Sequence, residues 1–134
     1  MKIYKIMMKY FFAVFTMLLI VGCGNSQQQD GIEKVTPEAF SKKLEMAEKP
    51  QLIDVRTLAE FSEGHLQNAL NLDINEDDFE KQLQTLDKAA PVYVYCRSGG
   101  RSAKAVEQMK KMGFREIYEL EGGILSWKGE VVTE

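Results

Sequence analysis

A chain of 134 residues has room for one domain and little else. Hydrophobic residues make up 45% of it and charged ones 28%, an ordinary globular mix with no repeat and no long acidic or basic run. The formal net charge of −3, with no basic stripe, excludes the nucleic-acid-binding class, so no nucleic-acid partner is expected.

The first segment stands apart from the rest. Lys2, Lys5 and Lys9 form a positive leader without an acid, and Tyr10 to Val21 is an almost unbroken apolar run. That run is far shorter than the ~20 residues a membrane-spanning helix needs. Its length suits the apolar region of a secretory signal. It ends in Ile20-Val21-Gly22-Cys23, which resembles a bacterial lipoprotein box. The resemblance implies diacylation of the Cys23 thiol, cleavage before Cys23 and acylation of the new amine. One acyl chain anchors only marginally, whereas several anchor durably. The domain would then be extracytoplasmic and lipid-anchored to a bacterial membrane, on the periplasmic side or at the cell surface. An ordinary signal with an incidental cysteine, or an uncleaved anchor, would also account for the segment. Residues 1–22 are thus read as a signal peptide, 23–31 as a lipidated cysteine with a polar tether, and 32–134 as the domain. Removing residues 1–22 takes three of the 17 basic residues and none of the 20 acidic ones, so the mature net charge is −6.

The remainder alternates strand-like and helix-like pieces. Ile32 to Val35 is a short strand candidate. Thr36 and Pro37 have the chemistry of an N-cap and first helical residue, and Phe40 and Leu44 share a face of the helix that follows. Gln51 to Val55 is a second strand. Thr57 and Glu60 have capping-box spacing, with Gly64 placed to end that short helix. Arg56 and Glu60, four apart, are expected to form a structural ion pair. Ala69 to Leu72 is a further strand candidate, and Asn75 is expected to cap a helix with Phe79, Leu83 and Leu86 on one face.

Pro91 to Tyr95 is the clearest strand, β-branched and aromatic without a charge. Ser102 to Met112 reads as a helix closed by Gly113, Phe114 to Leu120 as a last strand broken by Gly122-Gly123, and Ile124 to Lys128 as a final turn. Strands separated by helical stretches of about ten residues imply a mostly parallel sheet covered by helices on both faces. Sites in such sheets lie at the carboxyl ends of strands. Cys96 holds that position.

The loop Cys96-Arg97-Ser98-Gly99-Gly100-Arg101-Ser102 carries the chemistry. Gly99 and Gly100 let the backbone curl so that several amides converge on one point, as in an anion nest. The helix that follows adds its positive end, and Arg97 and Arg101 add cationic charge. All of these favour the thiolate, so the Cys96 pKa should fall below the ~8.5 of a free cysteine. A thiolate in an anion-binding cradle is suited to attack on an anionic substrate. With Cys23 consumed by lipid, Cys96 has no disulfide partner. A thioredoxin-type redox role lacks its second cysteine.

The order of segments resembles the rhodanese (sulfurtransferase) family. Leu52-Ile53-Asp54-Val55-Arg56, Glu60-Phe61, Gly64-His65-Leu66, Ala69-Leu70-Asn71, the Cys96 loop and Gly122-Gly123-Ile124-Leu125-Ser126-Trp127 follow one another as they do in that family. The resemblance covers about residues 32 to 130. It implies an α/β fold with a central, mostly parallel five-stranded sheet. It implies a thiosulfate sulfurtransferase type of enzyme, which passes a sulfane sulfur from thiosulfate or a similar donor to a thiol or cyanide acceptor through a Cys96 persulfide. It requires no metal and no organic cofactor. Asp54 and Arg56 would support the site, with Asp54 orienting the cysteine loop, and Arg101 would be half structural, holding the loop through its carbonyls as well as facing the substrate. Arg97 could point either way, and Ser98 could donate to the persulfide. His65, the only histidine, reads as structural, because a preformed thiolate needs no base. Trp127 reads as packing. Asn68 stands where the family commonly has glycine. Related cell-cycle phosphatases and arsenate reductases carry one more residue between Cys and Arg, which counts against that class. A non-enzymatic sulfur-carrier or partner-binding module is the other alternative, and the intact cysteine counts against it.

Overall fold

The computed structural model describes residues 31–133 and, apart from them, Ile3; the expected signal segment, Cys23 and the tether up to Asp30 lie outside the described residues. In chain order the elements are β1 (Gly31–Val35), α1 (Pro37–Met46), β2 (Gln51–Asp54), α2 (Leu58–Glu63), β3 (His65–Leu66), β4 (Leu70–Asn71), α3 (Phe79–Leu83), β5 (Val92–Tyr95), α4 (Gly100–Lys111), β6 (Glu116–Leu120), a 3-10 turn (Gly123–Ser126) and β7 (Val131–Val132).

Five strands form one sheet in the order β1-β6-β5-β2-β4, and every pairing in it is parallel. The register sets Asp54 of β2 beside Tyr95 of β5, and Val94 of β5 beside Glu119 of β6. β1 enters the sheet at Gly31, so the chain comes in at the amino edge while Cys96 leaves at the carboxyl edge. β3 and β7 make a separate antiparallel pair of two residues each, which the sequence pattern does not announce. Among the described residues no helix is long and apolar enough to cross a membrane.

The two-residue alternation of a strand divides the core. Ile53, Val92, Val94 and Ile117 face Phe79, Leu83, Ala105 and Met109 on the side of α3 and α4. Leu52, Tyr93, Tyr95, Tyr118 and Leu120 face Phe40 on the side of α1. Both tyrosines of β5 therefore pack in the same layer. Phe40 is fully buried, edge-on to Tyr93 and to Trp127. Burial of such a ring contributes about 1.5–3 kcal/mol.

The helix starts follow their local chemistry. Thr36 caps α1, its hydroxyl accepting from the Ala39 amide, with Pro37 at the first helical position. Thr57 and Glu60 form the full capping box of α2, and Gly64 ends it. Asn75 does not cap α3. Its backbone and side-chain amides both donate to Asp73, and the chain makes turns before the helix begins after Asp78. Phe79 and Leu83 are nevertheless buried on one face, with Leu86 packed beside them. Asn68 has φ +65°, a left-handed backbone that glycine suits and that asparagine tolerates better than most residues.

Candidate active site

Three strand ends build the site. Cys96 follows β5 directly and is 1% exposed. The loop then turns through Gly99, whose φ of +114° suits glycine, into the first residue of α4. That turn aims the Gly99 N–H at the Cys96 Sγ, 3.0 Å away. Ser102, in the first turn of α4 and fully buried, stands with its Oγ 3.4 Å from the same sulfur. The side chains of Arg97 and Ser98 are exposed.

Burial pushes the Cys96 thiol up, because a thiolate is costly away from water. The Ser102 hydroxyl and the amides of Ser102, Gly99 and Ser98 act the other way and outweigh it. The thiol is thus lowered from its ordinary value, and hydrogen bonding is the largest of the effects that lower it.

Arg101 departs from expectation. Its guanidinium does not bond the loop carbonyls. It makes a two-pronged ion pair with Glu60, Nη1 to Oε2 at 2.6 Å and Nη2 to Oε1 at 2.8 Å. Glu60 also accepts from the Thr57 amide and hydroxyl, so one carboxylate caps α2 and fixes the start of α4. The Arg101 hydrogen bonds hold Glu60 well below the usual carboxylate range, at about 2, against the opposing effect of burial.

The expected Arg56–Glu60 pair is absent for a geometric reason. Arg56 precedes the cap of α2, so the four-residue spacing is not a helical one. Arg56 folds back onto Asp54 instead, Nε reaching both carboxylate oxygens at 3.0 Å and Nη2 reaching Oδ2 at 2.6 Å. Its Nη2 also donates to the Gly64 carbonyl. Asp54 is fully buried and spends its carboxylate on the amide and side chain of Arg56. It therefore orients the segment leading to Gly64, and it also acts on the hydroxyl of Tyr95, the residue before Cys96. His65 is buried, stacked on Phe61 with its Nδ1 2.9 Å from the Phe61 carbonyl, a packing role.

Two groups that sequence reasoning left unassigned also belong to the site. Gly123, with φ +61°, lies against the back of the loop. A Cβ there would overlap the Arg97 carbonyl and come within 2.6 Å of the Cys96 oxygen. The next two amides hold the loop from behind, Ile124 N–H to Cys96 O at 2.9 Å and Leu125 N–H to Arg97 O at 3.2 Å. Glu119 of β6, 5% exposed, accepts from the Ser102 hydroxyl at 2.7 Å.

Residues 36–130 match the rhodanese-like domain family model. The chain belongs to the rhodanese-like family. A sulfurtransferase of Allochromatium vinosum is 31% identical over 96 residues, which cover 72% of this chain and 88% of that protein. The thiosulfate sulfurtransferase GlpE of Coxiella burnetii is 34% identical over 91 residues, 66% of this chain and 83% of GlpE. The crystal structure of a rhodanese-like domain protein from Staphylococcus aureus superposes with a TM-score of 0.68 at 29% identity, covering 77% of this chain and 99% of that one. Against YrkF of Bacillus subtilis, 29% identical, the match spans only 56% of the relative's length. The fold is thus the rhodanese fold, with its central sheet wholly parallel, and the general chemistry of the family members named for an activity is sulfur transfer.

Proposed function

We propose that this rhodanese-like domain carries a sulfane sulfur as a persulfide on Cys96, taking it from thiosulfate or a similar donor and giving it to a thiol or cyanide acceptor. The observation that carries the reading is the Cys96 Sγ held at the floor of the loop with the Gly99 amide aimed at it from 3.0 Å. The thiolate attacks the outer sulfur of the donor. The Sγ–S bond forms as the donor S–S bond breaks, and that electron pair leaves with sulfite. An acceptor thiolate or cyanide then attacks the terminal sulfur, and Cys96 leaves as the thiolate. The amides that hold the thiolate are placed to hold the persulfide anion that replaces it.

The ion pair of Arg101 with Glu60 favours this chemistry over phosphate or arsenate chemistry. Both terminal nitrogens of the guanidinium are bound to a carboxylate, so they are not free to clasp a tetrahedral oxyanion. The cysteine is also too buried for a bulky group to surround it, whereas a single sulfur presented end-on fits.

The test is thiocyanate formation from thiosulfate and cyanide by the mature domain, with mass spectrometry for one added sulfur on Cys96. Turnover and adduct in the wild type, both lost in Cys96→Ser, are expected. No turnover and no adduct in the wild type would overturn the enzyme reading in favour of a binding module.

We also propose that Cys23 is the lipid attachment site, on the strength of the Ile20-Val21-Gly22-Cys23 sequence and the short apolar run before it. Metabolic labelling with a fatty acid should mark the wild type and not Cys23→Ser. Equal processing and release of the two proteins would refute the anchor.

A further inference from the structure

The Ser102 hydroxyl has one hydrogen and three claims on it. Glu119 Oε1 lies at 2.7 Å, the Gly99 carbonyl at 3.1 Å and the Cys96 Sγ at 3.4 Å. The shortest of these is to a carboxylate, where a hydrogen bond is strongest. While Glu119 is ionised it takes that hydrogen. Ser102 can then only accept from Cys96, and the sulfur must keep its proton to donate. The thiolate needs the reverse arrangement, with Ser102 donating to sulfur. Both arrangements satisfy every group only if one proton changes ends. The chain is sealed for such an exchange: Cys96 is 1% exposed, Ser102 is fully buried and Glu119 is 5% exposed.

We infer that Glu119 is a positioning residue that receives the Cys96 proton through Ser102 as the thiolate forms and returns it when the sulfur has been passed on. In the forward step the Cys96 S–H bond breaks and its proton goes to Ser102 Oγ. The original Ser102 hydrogen moves to Glu119 Oε1. One negative charge passes from Glu119 to Cys96, and no other reactant is consumed. The charged groups around the pair are few. Lys34 of β1 stands 3.7 Å from Glu119 Oε2 and is half exposed. On the β5 side the residue in register is the apolar Val94. Arg101 of α4 lies near enough to Cys96 to feel its charge but is bound to Glu60, and Arg97 is exposed. The proton leaves sulfur as the thiolate forms to attack the donor, and it returns once the acceptor has taken the sulfur.

This inference shares with the proposed function only the identity of the reactive thiol, and its test needs no sulfur donor. The rate of Cys96 alkylation by iodoacetamide is followed against pH in wild type, Glu119→Gln and Ser102→Ala. The wild type should show two steps, because a coupled pair titrates as a pair. Glu119→Gln should show one step, displaced downward by on the order of one pH unit, since the competing charge is gone and Ser102 is free to donate. Ser102→Ala should show one step displaced upward. A single wild-type step with Glu119→Gln unmoved or displaced upward would overturn the relay. If a variant does not fold, isotope-labelled wild type decides. The Glu119 carboxyl carbon resonance should move together with the ultraviolet absorbance of the thiolate, and the movement should vanish once Cys96 is alkylated. A resonance that stays flat through thiolate formation would overturn the inference. A relay found in a domain without turnover would refute only the sulfurtransferase reading.

Discussion

Two strand ends lie side by side at the carboxyl edge of the sheet, and they treat buried charge in opposite ways. After β2, Asp54 and Arg56 are nearly inaccessible and answer each other completely, carboxylate against guanidinium. After β5, Cys96 is as deeply buried but meets neutral partners, the Gly99 amide that donates to it and the Ser102 hydroxyl. A buried ion pair already holds its charge and has little to gain from a ligand. A buried sulfur that faces a backbone amide gains when it becomes an anion. The adjacent loops show how one sheet edge supplies both a brace and a reactive group: the brace neutralises its charge internally, and the reactive loop leaves its charge to be created.

Four substitutions would break or sharpen that contrast. Cys96→Ser should have the largest effect, removing persulfide and turnover altogether while the thermal midpoint stays near that of wild type; residual turnover would place the nucleophile elsewhere. Gly123→Ala attacks the same loop from behind. With the loop backbone displaced, thiocyanate formation should fall about a hundredfold, and stability by about 1–3 kcal/mol in chemical denaturation. Asp54→Asn strips the brace of its charge and leaves Arg56 buried and unanswered. It should cost about 3–5 kcal/mol without moving the pH dependence of Cys96 alkylation. A moved profile would show that the two strand ends are one electrostatic unit.

Glu60→Gln should give the smallest effect, and one that depends on pH. Glu60 is depressed to about 2 from 4.5, so its ion pair contributes stability that is fully present above the unfolded value and is lost as pH falls toward 2. The wild type should therefore be the more stable protein at neutral pH, and the gap should close between about pH 4.5 and pH 2 in acid titrations of the thermal midpoint. A gap that persists below that range would assign the effect to lost packing or capping instead.

Much of the frame could be read from local chemistry. The Thr36-Pro37 start, the Thr57–Glu60 box and the Cys96 loop each depend on residues within a few positions of one another, and each forms as their spacing implies. Long-range partners were not legible. Glu60 was sought by Arg56 on sequence distance, but Arg101, forty-one residues on, claims it once α2 and α4 are brought together. Glu119 looks like an outward residue alternating with Tyr118. It is buried because β6 is interior to the sheet and covered on both faces. Asn75 had the right side chain for a cap, yet Asp73 two residues earlier offers its amides a nearer acceptor. The second glycine of Gly122-Gly123 could be read as a break. That it is the backstop of the cysteine loop required the fold.

Because all five strands of the sheet run the same way, the domain has a front and a back. The chain arrives at the back, at Gly31, and the sulfur sits at the front, beyond Tyr95. On the proposed anchoring at Cys23, the eight residues from Cys23 to Asp30 extend at most about 27 Å, on the order of the width of a domain this size. An anchor on that side would attach at the back of the domain, at the end of the sheet opposite the mouth of the loop.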